Sequence, residues 1–190
     1  MADTRPGGRT ARTRAAVHTA VRELFAEGRD QPSVREVSER SGVHEVTIYR
    51  RWGRIESLVL DVAVTQLNDE APFPDSGDLR RDLLDWAHAV AGQVKTREGF
   101  ALFRALAAAT SPLGGDQSDS LAADAARYLQ QRTAQMQQAL DRFAAAGGEP
   151  VTVAHIFDVV LAPIYLRAIF GYEPPDTDLD ALVDRALNLA

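Results

Sequence analysis

Residues 33–52 constrain the fold of this chain more than any other stretch, because they contain the signals for two short helices joined by a tight turn. Ser33 has Glu36 three residues later, so the two side chains can cap each other's backbone N–H groups at the start of a helix. Gly42 is the residue best able to adopt the left-handed conformation that ends a helix. The apolar pattern resumes after this glycine and continues at Ile48. The stretch therefore predicts a helix-turn-helix.

The second helix of such a motif needs one buried face and one face that is open to the major groove of DNA. At roughly 100° per residue, Val46 and Arg50 lie nearly opposite Ile48. Thr47 and Tyr49 lie on the flanks of this outward face. A small apolar side chain contacts a thymine methyl, arginine reaches guanine or phosphate, and hydroxyl groups bind phosphates. The outward residues therefore suit duplex DNA.

The same stretch resembles the signature of TetR-family transcriptional repressors. The matching residues are Gly42-Val43, Thr47-Ile48-Tyr49, Trp52, Glu56 and Leu58. The resemblance covers about residues 9–60 closely, and the rest of the chain only by its helical layout. The family usually has a lysine at the start of the next helix, where this chain has Ile55. Arg54, beside it, is the candidate to replace that phosphate contact.

The predicted fold class is all-α, with about nine helices in total. The resemblance implies a three-helix DNA-binding head with a helix-turn-helix, followed by a C-terminal helical bundle for ligand binding and dimerisation. We predict the head at residues 9–53, a connecting helix at 54–70 and the C-terminal domain at 71–190. The linker at residues 71–77 supports the last boundary, because its prolines and glycine interrupt helices.

Amphipathic periodicity predicts the helices outside the motif. Their ranges are 10–27, 54–68, 78–96, 98–110, 119–146, 152–170 and 178–189. The segment 152–170 is apolar on nearly all sides, so it must be covered on nearly all sides. The protein's own core can cover one side of this helix, and a second subunit can cover another side. Pro163 lies inside this segment and is expected to kink the helix.

The net charge of −6 argues against a nucleic-acid-binding protein until it is divided along the chain. Residues 1–60 carry eleven arginines against eight acidic residues, a net of +3. Residues 61–190 carry ten basic residues against nineteen acidic ones, a net of −9. A chain with a basic N-terminal part and an acidic remainder is expected to bind a polyanion through the basic part only. Within the basic end, Arg5, Arg9, Arg12 and Arg14 either lie along the DNA backbone or belong to a solvated tail.

The sequence lacks the residue patterns of a metal site or an active site. It has no cysteine, and its four histidines do not have the spacing of metal ligands. No glycine-rich phosphate loop or nucleophile elbow is present, and acids such as Asp82 are expected on solvated helix faces. We therefore expect no cofactor and no enzymatic activity.

The chain also lacks the pattern of a signal peptide. Its longest apolar run, Val159 to Leu166, is too short to span a membrane. We expect a cytoplasmic protein without a membrane partner.

Nine residues are predicted to form the DNA-binding surface: Arg35, His44, Glu45, Val46, Thr47, Tyr49, Arg50, Arg51 and Arg54. Val46 and Tyr49 are expected at base edges, and the resemblance implies the same for Arg35. The expected phosphate contacts are Thr47, Arg51 and Arg54. Trp52 is expected to pack between helices rather than contact DNA, and His44 suits either role.

The resemblance also implies an effector pocket in the C-terminal domain. The predicted lining is Trp86, Phe103, Arg104, Tyr128, Phe157 and Tyr165. The aromatic members recur at helical spacing, so the alternative is that they fill the core.

The resulting hypothesis is a ligand-responsive transcriptional repressor. It would form a homodimer through residues 152–170 and 178–189. The dimer would bind a palindromic operator, and a small, largely apolar effector would release it from the DNA. One alternative is an all-α protein-interaction module, or a small-molecule-binding protein, whose helix-turn-helix does not bind DNA. The other is an all-α enzyme that acts on a hydrophobic substrate, for which the sequence supplies no evident acid or base.

Overall fold

The computed structural model describes residues 7–70, 73–110, 119–172 and 178–188. All the regular structure in these ranges is helical, and they contain no strand. Nine helices follow one another: α1 (Gly7–Ala26), α2 (Val34–Ser41), α3 (Glu45–Trp52), α4 (Ile55–Glu70), α5 (Leu79–Val94), α6 (Arg97–Thr110), α7 (Asp119–Ala145), α8 (Val153–Phe170) and α9 (Leu179–Ala186). The all-α prediction is confirmed, and the helix ends differ from the predicted ones by a few residues at most.

The described residues form two compact units. The first contains residues 7–65 and 96–110, and the second contains residues 66–95, 119–172 and 178–188. The chain passes from one unit to the other inside α4, and α6 belongs to the first unit although it follows α5. The predicted division into head, connecting helix and C-terminal domain stays a prediction.

A single apolar core holds the first unit together. Its buried residues on α1 include Val17, Val21, Leu24 and Phe25, which recur at helical spacing along one face. The core also takes residues from α2, α3, the first part of α4 and α6. The short helices α2 and α3 are too small to bury a core of their own, so they depend on α1 and α4 for cover.

The second unit is packed around α5, α8 and α9. The buried apolar residues of α5, of α9 and of the position after α9 recur at helical spacing: Leu79, Leu83, Trp86, Ala87, Val90, Val94, Leu179, Leu182, Val183, Ala186 and Leu187. Arg80 of α5 ties the two helices together, because its guanidinium donates to Asp184 (2.6 Å) and Asp180 (3.0 Å). The expectation of a solvated Asp82 is wrong. This side chain is 2% exposed and accepts hydrogen bonds from the backbone and hydroxyl of Ser76.

Helix α8 is not a uniform α-helix, because a π-helical turn occupies Phe157–Leu161. The backbone N–H of Ala162 donates to the carbonyl of Phe157, five residues earlier. In a regular helix a proline ring clashes with the carbonyl four residues before it. Pro163 lies two residues after the end of this wider turn. The expected kink at Pro163 stays a prediction, and the irregularity that the helix contains is the π turn.

Among the described residues, full burial in α8 is confined to one stripe. Ile156, Val160 and Ile164 are buried, but only 17% of the residues in Val153–Phe170 are. Four large apolar side chains at the end of this helix, which we call the α8 end group, are exposed. They are Leu166 (53%), Ile169 (46%), Phe170 (75%) and Tyr172 (63%). A single copy of the chain therefore leaves an apolar surface in contact with water.

The same helix is long and apolar enough to cross a membrane, if length and composition alone are considered. Its mean hydropathy over Val153–Phe170 is 1.7, and the whole helix is longer than the short apolar run considered in the sequence. Core helices of water-soluble proteins pass the same test. This helix therefore gives no ground for a membrane location.

Candidate DNA-binding surface

The first helix of the motif begins and ends as its sequence predicts. The N–H of Glu36 donates to the Ser33 hydroxyl (3.2 Å), and the N–H of Ser33 donates to the Glu36 carboxylate (2.8 Å). The backbone N–H and the hydroxyl of Ser33 both donate to the Glu36 carboxylate, and these bonds hold the pKa of Glu36 below its ordinary value. Gly42 ends α2 in the left-handed conformation (φ 69°). A capping box and a glycine thus fix the entry to α3.

Helix α3 is capped at its first residue by His44. The Nδ1 atom of the His44 ring accepts a hydrogen bond from the N–H of Val46 (3.2 Å). Glu45 lies in the first turn and Arg50 and Arg51 in the last, so the charges complement the helix dipole at both ends. Two roles were considered for His44, contact with DNA and packing between helices. The structure adds a third, the N-terminal cap of α3.

The eight residues of α3 separate into an inward and an outward face. Ile48 is 1% exposed and is the one buried residue of this fully described helix. Val46 is 65% exposed and Tyr49 50%, and Arg50 is exposed beside them. Thr47 is half-buried on the flank. Two large apolar or aromatic groups and a cation therefore face solvent together, as the periodicity predicted.

Arg35, on α2, is held by a surface ion pair. Its Nε donates to Glu39 at 2.9 Å, and its side chain is 78% exposed. This hydrogen bond, with the negative charges of Glu39 and Glu45, raises the pKa of Arg35. Exposed pairs of this kind are weak. Arg35 can therefore exchange Glu39 for another partner at small cost.

The end of α3 packs back onto the unit through Trp52. Its indole Nε1 donates to Asp61 on α4 (2.9 Å), and its ring centroid lies 6.3 Å from that of His18 on α1. The expected packing of Trp52 between helices is confirmed. The guanidinium of Arg51 lies 5.0 Å from the centroid of the Trp52 ring, within cation–π range.

Asp61 is the centre of a polar network that the sequence did not indicate. Its carboxylate accepts hydrogen bonds from Arg14 (2.6 Å), His18 (2.9 Å) and Trp52 (2.9 Å). Burial alone would raise the pKa of Asp61, but the hydrogen bonds from His18, Arg14 and Trp52 hold it well below its ordinary range. Arg14 and His18 lie 47 and 43 positions before Asp61 in the sequence, so only the tertiary structure reveals the network.

The network corrects one earlier expectation about the basic end of the chain. Arg14 does not project as a DNA-backbone contact, because its guanidinium binds Asp61 and the hydroxyl of Thr65 (2.7 Å). Arg12 is exposed and donates to the carbonyl of Gly8 (3.1 Å). Arg5 and the side chain of Arg9 lie outside the described residues.

The predicted pocket residues are distributed over both units. The predicted set is Trp86, Phe103, Arg104, Tyr128, Phe157 and Tyr165. Trp86 is buried, with its ring edge-on to that of Phe73 at 6.0 Å between centroids. The two residues on α8 are half-buried. On α6, in the first unit, Phe103 is half-buried and Arg104 is exposed. The side chain of Tyr128 lies outside the described residues.

Comparison with known proteins shows which family shares this arrangement. Residues 73–186 match the family model described as the tetracyclin repressor-like C-terminal domain. The crystal structure of the TetR family transcription regulator SCO0332 is 31% identical and aligns with 94% of this chain and 98% of its own, with a TM-score of 0.68. The chain belongs to the TetR family. The family predicted from the sequence motif is thereby confirmed.

Other relatives of this TetR-family protein are also regulators. The uncharacterized HTH-type transcriptional regulator YdeS of Bacillus subtilis (strain 168) is 27% identical over 179 residues, which are 92% of this chain and 87% of YdeS. The HTH-type transcriptional regulator AqdR of Rhodococcus erythropolis is 35% identical over 97 residues, 50% of this chain and 47% of AqdR. A TetR family regulator from Marinobacter aquaeolei VT8 shares the fold at 21% identity, with a TM-score of 0.61 over 95% of this chain and 96% of its own.

The family membership decides between the function classes that the sequence left open. Its relatives are transcription regulators and not enzymes. The chain is therefore a DNA-binding transcriptional regulator with a helix-turn-helix.

Proposed function

We propose that this TetR-family regulator is a homodimeric repressor that binds a palindromic operator and is released by a small, largely apolar effector. The observation that carries the proposal is the outward face of α3. Its apolar anchor Ile48 is buried, whereas Val46, Tyr49 and Arg50 face solvent. Side chains of these types read base edges and bind phosphates in the major groove.

The proposal assigns different roles to the exposed residues. Val46 suits the methyl group of thymine, and Tyr49 suits a base edge. Arg35 reaches a base once it leaves Glu39, and Glu45 accepts a hydrogen bond from a cytosine amino group. The proposed phosphate contacts are Thr47, Arg51 and Arg54. Arg50 binds guanine or phosphate, while His44 caps α3 and approaches the DNA from its first turn.

The homodimer is proposed to form through residues 152–170 and 178–189. The exposed α8 end group supports this, since several large apolar side chains exposed together often mark a contact with another protein. In a twofold dimer the two heads would read half-sites whose centres are roughly 34 Å apart or a multiple of that. The same coverage accounts for the apolar length of α8 without a membrane, in keeping with a cytoplasmic protein.

We propose that the effector binds within the second unit, beside Phe157 and Tyr165. Half-buried Phe157 and Tyr165 support an apolar ligand, since they offer aromatic surface that is not fully packed. Binding there would change the separation of the two heads. Because the coupling is reciprocal, operator DNA should then weaken effector binding by the same factor.

An electrophoretic shift assay on the DNA upstream of the protein's own gene tests the function class. We expect the purified protein to shift this DNA at low salt, and we expect the affinity to fall steeply as the salt concentration rises. A shift that does not change at high salt would contradict the phosphate contacts. If the chain shifts no DNA at any salt concentration, the protein-interaction alternative would replace the proposal.

Two arginine variants test the division of roles on the DNA surface. Arg35→Ala should reduce discrimination between operator variants by roughly 5- to 100-fold, because a base contact is lost. Arg51→Ala should weaken binding to all sequences alike and lower the slope of log affinity against log salt by about 1. Arg51→Lys is the matched control, because it keeps the charge. Equal effects of the two alanine variants on every sequence would contradict the assignment.

A further inference from the structure

The carboxylate of Asp61 joins three helices at one point. It lies on α4 and accepts hydrogen bonds from Arg14 and His18 of α1 and from Trp52, the last residue of α3. Thr65, one turn later on α4, extends the network by accepting from Arg14 and donating to the Asp61 carbonyl (2.6 Å). All these residues belong to the first unit.

Both carboxylate oxygens are needed to satisfy these donors. Oδ1 accepts from Arg14 Nη2 (2.6 Å), and Oδ2 accepts from Arg14 Nε (3.2 Å), His18 Nε2 (2.9 Å) and Trp52 Nε1 (2.9 Å). Indole and guanidinium N–H groups can only donate. An amide in place of the carboxylate would turn an N–H₂ group toward one of these donors. The site therefore requires an ionised acid, and the depressed pKa of Asp61 agrees with this.

Helix α3 is short, with eight residues, and Ile48 is the one that is buried. Val43 before the helix and the ring of Trp52 at its end pack against the same core, but apolar contacts are not directional and leave the helix able to pivot. Trp52 lies one turn beyond Ile48, so its hydrogen bond to Asp61 limits the pivot and fixes the direction of the helix axis. The outward residues Val46 and Tyr49 can then meet base edges in only one orientation.

We propose that Asp61 is a positioning residue for DNA recognition, which acts by holding the indole of Trp52 and thereby aiming α3. Asp61 does not contact DNA in this role. Arg14 and His18 serve as its partners on α1 and keep the carboxylate in place. The inference rests on the DNA-binding activity of the family and does not require the proposed effector or dimer.

A double-mutant cycle tests the proposal. The probes are a duplex selected from a random library by the wild-type protein and a scrambled duplex of the same length and composition. Asp61→Asn should weaken binding to the selected duplex by roughly 2- to 30-fold, the range for residues that act through others. Binding to the scrambled duplex should change less than about twofold, because phosphate contacts do not depend on register. Trp52→Phe should give a similar loss, and the double variant should lose less than the sum of the two free-energy changes.

Two further measurements separate positioning from a general structural role. The indole N–H resonance of Trp52, assigned with Trp52→Phe, should move in Asp61→Asn at temperatures where the variant is folded. Glu98→Gln is the matched control, because it neutralises another half-buried carboxylate of the first unit, the partner of Arg22. It should leave both affinities and the Trp52 resonance unchanged.

Three results would overturn the proposal. The first is an unchanged affinity for the selected duplex while the indole resonance of Trp52 has moved. The second is an equal loss on both duplexes, which would indicate a general loss of folded protein. The third is full additivity of Asp61→Asn and Trp52→Phe. If Asp61→Asn does not fold, Trp52→Phe alone tests the proposal. Its loss of affinity should be larger on the selected duplex than on the scrambled one, and an equal loss on both would overturn the proposal.

Discussion

Helix α3 and the end of α8 both expose large apolar side chains, but their surroundings differ. On α3, Val46 and Tyr49 are next to Arg50 and Arg51. In the α8 end group, Leu166, Ile169, Phe170 and Tyr172 are all uncharged, and the neighbouring Arg167 is half-buried. The first surface combines apolar contact with positive charge, whereas the second offers apolar contact alone.

The difference shows that exposure by itself does not identify a partner. An apolar group among cations suits a polyanion whose bases carry methyl groups, and DNA has this chemistry. An apolar group without charge suits another apolar protein surface, and a second copy of the chain provides one. Variants that alter one surface and leave the other intact can separate the two functions.

The largest effect is expected from a charge placed in the α8 end group. Phe170→Asp should cost about 3 kcal/mol or more of dimerisation free energy, because an unpaired charge would be buried in the proposed interface. Since Phe170 is 75% exposed in one chain, the subunit itself should still fold. Analytical ultracentrifugation should show a monomer. Ala89→Asp, at an exposed position of α5, should remain a dimer. A dimeric Phe170→Asp protein would show that the interface lies elsewhere.

A pair of neighbouring substitutions on α3 should separate folding from DNA binding. Ile48→Ala should lower the free energy of unfolding by about 3 kcal/mol, because it leaves a cavity in the core of the first unit. Val46→Ala should change that free energy by less than about 0.5 kcal/mol. It should nevertheless weaken binding to the selected duplex. Chemical denaturation and a binding titration measure the two quantities. Comparable destabilisation by both variants would contradict the two-faced description of α3.

The stability of the first unit should depend on acid through Asp61. The folded pKa of Asp61 lies below its unfolded value of about 4, so the charged form favours folding. Its contribution is therefore fully present above about pH 4 and is lost as the pH falls through the lower folded pKa. Wild type should exceed Asp61→Asn by about 2 kcal/mol in unfolding free energy at pH 7, and the difference should shrink below pH 4. A difference that is constant down to pH 2 would rule out this role of the charge. The α8 end group, which has no titratable carboxylate, should show no such dependence.

The smallest effect on the free energy of unfolding is expected from the N-terminal cap of α2. Ser33→Ala should lower the free energy of unfolding by about 1 kcal/mol, because α2 would lose the hydroxyl of its capping box. Ser38→Ala, inside the same helix, should be neutral or slightly stabilising, since alanine favours helix. Thermal unfolding followed by circular dichroism measures both. An effect of Ser38→Ala as large as that of Ser33→Ala would show that the cap is not the cause.

Much of the fold could be predicted because its signals are local. The capping box at Ser33, the left-handed Gly42 and the inward Ile48 each depend on residues within one or two helical turns. The buried faces of α5 and α9 follow from periodicity in the same way. The family signature also lies in one short stretch. These features need no knowledge of which helices pack together.

The remainder could not be predicted because it depends on contacts between distant residues. Asp61 meets Arg14 across 47 positions and Trp52 across nine, and no spacing rule connects them. A charged residue on an amphipathic helix is normally assigned to solvent, which is why the burial of Asp82 was missed. The packing of α6 with the first unit likewise depends on Leu102 meeting the core there, and periodicity does not specify which core a helix joins.

The π turn in α8 determines which way the end of that helix points. A turn closed by a bond to the fifth residue back contains one residue more than an α-turn, so it acts as an insertion that the helix absorbs. Every residue after Leu161 is therefore rotated by about 100° from where an unbroken α-helix would place it. Deleting one residue between Phe157 and Leu161 would therefore let this turn close as an α-turn while Phe170 kept its present direction. The wider turn thus holds the exposed apolar end of the helix in the direction it would have without the added residue.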